Sequence, residues 1–265
     1  GFKVQSLASD PSNTLAGQVW YNTTSAALKL FVQPAAGWSS GGNLNTSRNT
    51  TAGAGSQTAC LAIGGSTPPG TTALDQVEQY DGSAWTELSA NLGTARFSAG
   101  SCGTTTSALI FGGNKPAVAD ETESWNGTAW TELGNLNHAR KAGASLGVDN
   151  TAAVFAGGQS PSAPIPKALS ETWNGSAWTE TGDLNTGRFS VTGAGTTTAG
   201  IIAGGNVNPP TDYVAWVETY NGTSWTETTD IPAGDAGMGS ASQGTTTAAF
   251  YFGGTLPGPG TGGLF

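Results

Sequence analysis

The chain has 265 residues, of which 10% are charged and 41 are glycine. Soluble domains average about 25% charged residues, yet the nine Trp, nine Phe and five Tyr supply enough apolar surface for a packed core. The net charge of −9, with only nine Lys and Arg, provides no basic patch for nucleic acid or for an anionic membrane surface. No apolar run approaches the roughly 18 residues of a membrane span, so membrane insertion is not expected.

The chain opens with a lead-in segment, residues 1–16, whose first residues lack the apolar core of a signal peptide. A patterned series follows: Leu7-Ala8-Ser9-Asp10-Pro11-Ser12-Asn13, then Gly17-Gln18-Val19-Trp20-Tyr21-Asn22-Thr23-Thr24, then Leu28-Lys29-Leu30. This series resembles a segment common in bacteriophage tail-fibre and virion surface proteins, those of cyanophages in particular. The resemblance implies a component exposed on a virion.

Four copies of one repeat occupy most of the remaining chain. Each copy runs from an arginine through Gly-Gly, a glutamate near an aromatic residue, Asp-Gly or Asn-Gly, and Trp-Thr-Glu. The arginines are Arg48, Arg96, Arg140 and Arg188; the glutamates are Glu78, Glu123, Glu171 and Glu218; the tryptophans are Trp85, Trp130, Trp178 and Trp225. Spacings of 48, 44 and 48 residues between the arginines are typical of a repeat architecture.

Each repeat predicts four strands, which we label a to d in chain order. Strand a follows the arginine, as in residues 97–101, and a turn rich in threonine leads to strand b. Strand b is apolar throughout and ends at Gly-Gly, as in residues 108–111, which indicates burial on both faces. Strand c carries the glutamate and the aromatic residue, Asp-Gly or Asn-Gly predicts a type I′ turn, and strand d begins at the tryptophan. No segment shows a sustained helical period.

The arginine, the Gly-Gly pair, and the aromatic residue followed by tryptophan resemble the kelch motif over residues 17–254. The resemblance implies an all-β fold, a β-propeller of about five four-stranded blades. The predicted blades are residues 48–88, 96–133, 140–181, 188–228, and 235–254 together with 17–40. Residues 255–265 are then a C-terminal tail rich in Gly and Pro.

The fifth copy starts at Asp235 and ends after its strand b. Residues 19–22 match strand c, residues 28–32 continue them as a hairpin, and Trp38 stands ten positions before Arg48, as Trp130 does before Arg140. We therefore expect residues 17–38 to complete the last blade, which would remove exposed sheet edges. The alternative is that the five copies are part of a larger ring.

The composite last blade lacks both repeated charges. Asp235 stands where the other copies have arginine, and Val19 stands where they have glutamate. A buried ion pair is costly when one partner is lost. The joint absence therefore predicts that the repeated Arg and Glu pair with each other and fix the connection between blades.

The loops between strands b and c vary most, and they contain ten of the 13 prolines. Variable loops on a rigid scaffold are a common binding surface, and proline lowers the entropic cost of ordering them. The candidate binding residues in these loops are Tyr213, Trp216, Asp212, Lys115 and Lys167. The alternative is that the loops are tolerated insertions without a ligand.

The sequence contains few residues that could support catalysis or bind a metal. The kelch fold resembles the propeller of galactose oxidase, whose copper site needs two histidines, whereas His138 is the only histidine here. We expect no metal or cofactor and no serine triad, and we expect Cys60 and Cys102 to be buried free thiols, with a bridge as the alternative. A carboxylate pair would suffice for glycoside hydrolysis. The acids outside the repeat pattern are Asp75, Asp120, Glu121, Asp149, Asp183, Asp212 and Asp230.

These patterns together favour a non-enzymatic structural protein of a phage virion, a tail fibre, appendage or surface decoration. Its expected place is the virion surface, outside the cell. Its expected partners are other virion proteins in an oligomeric assembly, and a host-surface glycan or receptor bound by the b–c loops. The alternatives are a secreted or cell-surface lectin-like propeller, a carbohydrate-active enzyme with acids at the ring axis, and an intracellular kelch adaptor.

Overall fold

The computed structural model describes residues 5–11, 18–30, 40–69, 72–161, 163–207, 212–240 and 244–255, without the side chains of residues 30 and 163–165. All regular structure in these ranges is β-strand, which confirms the all-β prediction. The described residues contain no helix that could cross a membrane. The chain divides into two compact units, residues 1–41 and residues 42–265.

The first unit holds a three-stranded sheet, β1 (Gln5–Leu7), β2 (Val19–Asn22) and β3 (Ala27–Leu30). β2 lies in the middle, parallel to β1 and antiparallel to β3. Asp10 ties the sheet together, because one carboxylate oxygen accepts hydrogen bonds from Asn22 Nδ2 at 2.6 Å and Trp20 Nε1 at 3.0 Å. The other oxygen accepts from Lys29 Nζ at 3.2 Å. The hydrogen bonds from Asn22, Trp20 and Lys29 lower the pKa of Asp10.

In the second unit, each of the first four repeats forms one antiparallel sheet with its strands in the predicted order a-b-c-d. The first sheet is β4 (Ala52–Ser56), β5 (Ala59–Ile63), β8 (Val77–Tyr80) and β9 (Trp85–Glu87), with the ribbon β6 (Ser66–Thr67) and β7 (Thr72–Ala73) in its b–c loop. The second is β10 (Gly100–Gly103), β11 (Ala108–Phe111), β12 (Thr122–Trp125) and β13 (Trp130–Glu132). The third is β14 (Ala144–Gly147), β15 (Ala153–Ala156), β18 (Ser170–Trp173) and β19 (Trp178–Glu180), with the ribbon β16 (Gln159–Ser160) and β17 (Ala163–Pro166). The fourth is β20 (Thr192–Gly195), β21 (Gly200–Ala203), β22 (Val217–Tyr220) and β23 (Trp225–Thr228).

Strand a begins four residues after the arginine, later than predicted. The second residue after the arginine has a positive φ, 52° at Ser98 and 55° at Ala142, which turns the backbone before the strand starts. This left-handed conformation costs an ordinary residue about 1–2 kcal/mol. A hydrogen bond to the preceding repeat offsets the cost. These bonds run Ser98 N to Thr50 O, Ala142 N to Ser98 O, Ser190 N to Ala142 O and Gly237 N to Ser190 O, at 2.6–3.0 Å.

The type I′ turn predicted between strands c and d is wrong. Tyr80 pairs with Trp85, so the loop has four residues, and φ is positive at Gly82 but not at Asp81. Asp81 Oδ1 instead accepts hydrogen bonds from the N–H groups of Ala84 and Ser83, each at 2.9 Å. The hydrogen bonds from Ala84 and Ser83 lower the pKa of Asp81 to about 2. The polar residue is therefore selected for capping the loop with its side chain, and Asn126, Asn174 and Asn221 do the same.

The core lies between successive sheets. All residues of β11 and β15 have 0% exposure, which confirms for the second and third repeats the prediction that strand b is buried on both faces. The start of β5 and both residues of β25 are partly exposed. Ile110 packs with Ile63 of the first sheet. Phe111 packs with Phe155 of the third sheet, with ring centroids 5.2 Å apart. Corresponding clusters join the third to the fourth repeat and the fourth to the fifth, so the sheets pack face to face in chain order.

The strand d tryptophan also links neighbouring sheets. Trp178 Nε1 donates to Thr122 Oγ1 of the second sheet at 2.8 Å, and Trp225 Nε1 donates to Ser170 Oγ of the third at 3.0 Å. The corresponding first residue of strand c in the first sheet is Val77, which has no hydroxyl. Trp130 Nε1 is accordingly buried without a partner among the described residues.

The fifth repeat contributes β24 (Gly239–Ser240) and β25 (Tyr251–Phe252), which pair with each other. The residues predicted to supply its strands c and d form β2 and β3, and β1 occupies the edge of β2 that a strand b would need. Closure of the last blade by residues 17–40 therefore stays a prediction. Trp38 and residues 256–265 of the predicted tail lie outside the described residues.

Candidate functional site

The four repeated arginines form the predicted ion pairs with the four repeated glutamates. The distances from Arg Nη2 to Glu Oε1 are 2.6 Å for Arg48–Glu78 and Arg96–Glu123, 2.9 Å for Arg140–Glu171 and 2.8 Å for Arg188–Glu218. Side-chain exposures in these pairs are 0–4%. Burial lowers the pKa of Arg140 and Arg188, and their glutamate partners oppose that shift.

Each pair also holds the loop that enters its sheet. Glu171 Oε2 accepts hydrogen bonds from the backbone N–H of Asn137 at 2.7 Å and from its side-chain Nδ2 at 2.9 Å. Arg140 Nη1 donates to the carbonyls of Gly157 at 2.8 Å and Leu169 at 2.6 Å. Burial alone would raise the pKa of Glu78, but the N–H groups of the entering loop and Arg48 produce a net lowering. These contacts bind the chain to itself and present no charge to a ligand.

The same position in the fifth repeat holds Asp235. Its side chain is fully buried, and Oδ1 accepts a hydrogen bond from the N–H of Ala236 at 2.6 Å. Oδ2 has no hydrogen-bond partner among the described residues. Burial raises the pKa of Asp235, against smaller lowering contributions from the N–H groups of Ala236 and Thr255. The sequence distinguishes Asp235 because it replaces the repeated arginine. It does not predict that the Asp235 carboxylate is buried with one oxygen lacking a described partner.

A cavity of about 590 Å³ is lined by strand a residues of all five repeats, among them Gly53, Ser101, Ser145, Gly193 and Ser240. The serine hydroxyls join neighbouring strands. Ser101 Oγ donates to Gly53 O at 2.8 Å, and Ser240 Oγ donates to Gly193 O at 2.7 Å. All 18 acidic residues lie in the described ranges, and none of them lines this cavity. The carboxylate-pair hypothesis therefore finds no pair there.

A second cleft, of about 230 Å³, lies where the b–c loop of the fourth repeat meets the start of the fifth. Its lining includes two aromatic residues, Phe189 and Tyr213, and three polar residues, Asn206, Ser190 and Thr255. Ala236 and Gly237 complete it. Asn206 is positioned by backbone hydrogen bonds to and from Phe189, at 2.8 and 3.1 Å. An aromatic ring beside amide and hydroxyl groups can stack on an apolar face and hydrogen-bond a polyol.

The structure brings one of the five predicted binding residues, Tyr213, into this cleft. Trp216 lines a separate space of about 160 Å³ beside Arg188 and Glu218, and its carbonyl accepts a hydrogen bond from Arg188 Nη1 at 3.3 Å. Lys115 forms an ion pair with Glu121. Burial acts to raise the pKa of Glu121, but hydrogen bonds from Lys115 and from the Glu121 N–H, together with the charges of Lys115 and Arg96, produce a net lowering.

Backbone hydrogen bonds hold both Asp212 and Lys167 in their loops. The Asp212 carbonyl accepts a hydrogen bond from the N–H of Val207 at 3.1 Å, and its side chain is exposed. The Lys167 N–H donates to Gly158 O at 2.8 Å, and its carbonyl accepts from the N–H of Arg188 at 3.3 Å. Neither residue lines the cleft.

The remaining reactive side chains do not converge. His138 Nδ1 lies 3.3 Å from Glu180 Oε1 in an exposed pair, and no group of three metal-ligating side chains occurs in the described residues. Both cysteines are free thiols, but only Cys102 is fully buried. Burial raises the pKa of Cys102 to about 12. Cys60 is partly exposed and lines the 590 Å³ cavity, which corrects the expectation that it is buried.

Neither models of known protein families nor curated proteins match the chain. Sequence reasoning named the b–c loops but missed Phe189, Ser190 and Asn206 as companions of Tyr213. A signal for them was present, because the second and fourth repeats share Arg-Phe-Ser and Gly-Gly-Asn at the corresponding positions. That signal could not separate a binding cleft from a structural turn.

Proposed function

We propose that the protein is a non-enzymatic structural component of a bacteriophage virion, a tail fibre, appendage or surface decoration, and that its b–c loops bind a glycan of the host surface. The resemblance of residues 7–30 to phage tail-fibre segments supports the virion assignment. The low content of charged residues and the repeated four-stranded sheets suit a rigid particle protein. Other virion proteins would be its partners in the assembly.

The arrangement proposed for the second unit is a propeller of five kelch-like blades. Two observations support it. The strands a of successive repeats contact one another in chain order, from β4 through β10, β14 and β20 to β24, and residues from all five line one cavity. A propeller places its b–c loops on one face, where they would form a continuous binding surface.

The cleft at Tyr213 carries the glycan proposal. Its volume of about 230 Å³ suits a single sugar ring or a small part of an oligosaccharide. The two aromatic and three polar residues that line it are of types that can stack on and hydrogen-bond a ligand, and none of the lining residues carries a charge. Such a lining favours a neutral polyol over a charged ligand.

Binding is tested with polysaccharide purified from the surface of susceptible host cells, immobilised for surface plasmon resonance. Tyr213→Ala is expected to weaken binding at least about tenfold, because it removes one ring from a small site. Thr106→Ala is the matched control, since Thr106 is exposed in the a–b turn at the opposite end of the strands. Equal binding by Tyr213→Ala and the unchanged protein would remove the cleft from the proposal.

Immunogold labelling of purified particles separates the virion assignment from its main alternative. Antibody against the protein is expected to label the particle surface. Label confined to bacterial cells would instead favour the secreted or cell-surface lectin-like reading. Release of reducing sugar from the same polysaccharide would favour the carbohydrate-active enzyme.

A further inference from the structure

The loop between strands c and d carries Asn-Gly in the second, third and fourth repeats and Asp-Gly in the first. The dipeptides are Asn126-Gly127, Asn174-Gly175, Asn221-Gly222 and Asp81-Gly82. The sequence contains no other Asn-Gly. The Asn or Asp residue is exposed in all four loops, and φ of the glycine that follows is 92–99°. One loop geometry therefore accommodates both an amide and a carboxylate.

Hydrogen bonds hold each asparagine side chain along the backbone that contains the glycine nitrogen. Asn126 Oδ1 accepts from Thr128 Oγ1 at 2.8 Å and from the N–H groups of Thr128 and Ala129, each at 2.9 Å. Asn174 and Asn221 have the same three contacts at 2.8–3.0 Å. Such donors polarise the side-chain carbonyl and stabilise negative charge that develops on its oxygen, as the donors of an oxyanion hole do.

The nucleophile and the leaving group of a deamidation reaction are both accessible in these loops. Among the described residues, no hydrogen bond engages the N–H of the glycine in any of the three Asn-Gly loops, and glycine has no side chain to obstruct its nitrogen. Asn221 Nδ2 donates to Ser224 Oγ at 3.2 Å. The residues at the position of Ser224 in the second and third repeats are Ala129 and Ala177, which have no hydroxyl.

The first repeat shows how this loop holds a carboxylate. Asp81 Oδ1 accepts from Ser83 Oγ at 2.8 Å and from the N–H groups of Ser83 and Ala84, each at 2.9 Å. These are the contacts that Asn126 makes in the second repeat. The hydrogen bonds from Ala84 and Ser83 lower the pKa of Asp81 to about 2, so the folded loop favours the ionised form. An aspartate in the other three loops would find the same donors.

We propose that Asn126, Asn174 and Asn221 are modification sites that deamidate spontaneously to aspartate, and that the aspartate caps its loop as Asp81 does. The glycine nitrogen attacks the asparagine Cγ, its proton passes through water to the departing nitrogen, and ammonia leaves as a succinimide forms. Water then adds to Cγ and breaks its bond to the glycine nitrogen, which regains a proton. Three conversions change the net charge from −9 to −12.

Hydrolysis at the other succinimide carbonyl would give isoaspartate, which lengthens the backbone by one methylene. In the second repeat that change would displace the acceptor from the donors on Thr128 and Ala129, so the loop would lose its cap. The folded chain therefore favours aspartate. The new charges arise at the c–d end of the strands, opposite the b–c loops, so the proposal is independent of glycan binding.

The test follows each site by peptide mass spectrometry while the full chain is incubated in mildly alkaline buffer. Fragmentation by electron transfer distinguishes aspartate from isoaspartate. Asn150 is the matched control, because it is half-buried, its Nδ2 donates to Ser124 Oγ at 2.9 Å, and a threonine follows it. Asn126 and Asn174 are expected to react at least about tenfold faster than Asn150. Aspartate should predominate in the folded chain, and this preference should be lost in the chain unfolded by urea.

Two sets of variants complete the test. Asn221 should react more slowly than Asn126, and Ser224→Ala should bring the two rates together because it removes the contact to Nδ2. The product is represented by Asn126→Asp, Asn174→Asp and Asn221→Asp combined, whose urea midpoint at pH 7 should be no lower than that of the unchanged chain.

Three results would each overturn the proposal. They are equal rates at Asn126 and Asn150, isoaspartate as the main product in the folded chain, and a lower urea midpoint for the combined variant. An Asn221 rate that Ser224→Ala leaves unchanged would contradict the expected order of the sites.

Discussion

The third and fifth repeats start alike and differ in one charged position. Both turn the backbone two residues after that position, at Ala142 and Gly237, and both donate a hydrogen bond to the preceding repeat. The third holds Arg140, paired with Glu171 inside a complete sheet. The fifth holds Asp235, which forms no ion pair with any described residue and stands beside a sheet of two described strands. Contacts with the preceding repeat thus form without the ion pair, whereas the Arg–Glu pair accompanies a complete strand c.

Breaking the pair in the third repeat should have the largest effect on stability. Arg140→Met keeps most of the side-chain volume but leaves Glu171 buried without a countercharge, and it removes the donors to Gly157 O and Leu169 O. We expect the free energy of unfolding to fall by about 3–5 kcal/mol. Urea unfolding followed by tryptophan fluorescence measures the change.

Two companion variants control for the loss of charge itself. Lys115→Met removes a cation from the partly exposed pair with Glu121, and we expect a loss of no more than about 1 kcal/mol. Arg140→Met combined with Glu171→Leu removes both buried charges and should be less damaging than Arg140→Met alone. A double variant as unstable as the sum of its single variants would show that the two residues do not act as a pair.

The tryptophans of strand d allow a comparison between sheets in which the expected loss of stability is smaller and a single hydrogen bond is tested. Trp178→Phe leaves Thr122 Oγ1 without its donor and should cost about 1–2 kcal/mol beyond the change in packing. Trp130→Phe makes the same replacement where Nε1 has no described partner, so it should cost less than Trp178→Phe. Thermal unfolding of both variants measures the difference. A larger loss for Trp130→Phe would indicate that ring packing outweighs the hydrogen bond.

The regular parts of this fold could be predicted because the repeat supplies an internal comparison. Strand b, the order of the strands and the Arg–Glu pair followed from positions that recur four times. The start of strand a could not be placed, because nothing in Phe97-Ser98 or Lys141-Ala142 marks a left-handed residue. The loop at Asp81 was misjudged for a related reason: Asp-Gly suits both a type I′ turn and a side-chain cap, and cross-strand pairing decides between them.

The candidate site was less predictable than the scaffold. Tyr213 is a candidate because it lies in a variable loop, whereas its companion Phe189 follows the repeated Arg188, a position that nothing in the sequence marks for binding. Trp216 was named for its ring, yet its carbonyl belongs to the contacts of Arg188. The burial of Asp235 depends on the residues packed around it, and the absence of an arginine at this position does not reveal that packing.

Replacing Asp235 should raise the free energy of unfolding, whereas replacing Arg140 should lower it. Burial raises the pKa of Asp235 in the folded chain, so the folded state holds the proton more strongly than the unfolded state, whose value is near 3.8. Protonation of Asp235 therefore stabilises the folded state. This stabilisation is fully present below the pKa of the unfolded chain and is lost as the pH rises through the pKa of the folded chain. Asp235→Asn should therefore raise the free energy of unfolding by about 1 kcal/mol at pH 7, with a gain that shrinks as the pH approaches 4.

Urea unfolding at a series of pH values measures this gain against the unchanged chain, so that the titration of other residues largely cancels. The exposed Asp230→Asn is the control, and we expect it to stay within about 0.5 kcal/mol of the unchanged chain. A gain that is the same at pH 7 and near pH 4 would mean that ionisation of Asp235 does not destabilise the fifth repeat.

The smallest effect is expected from a substitution that makes the first sheet resemble the second. Val77→Thr places a hydroxyl where Thr122 has one, opposite Trp130 Nε1 as Thr122 is opposite Trp178 Nε1. The new hydrogen bond and the burial of a hydroxyl oppose each other, so the variant alone should change stability little. The coupling is visible in a cycle with Trp130→Phe, where Val77→Thr should cost about 0.5–1 kcal/mol more than it does in the unchanged chain. A coupling near zero would show that the two sheets are too far apart at this position for the contact, and that repetition of sequence has not produced repetition of geometry there.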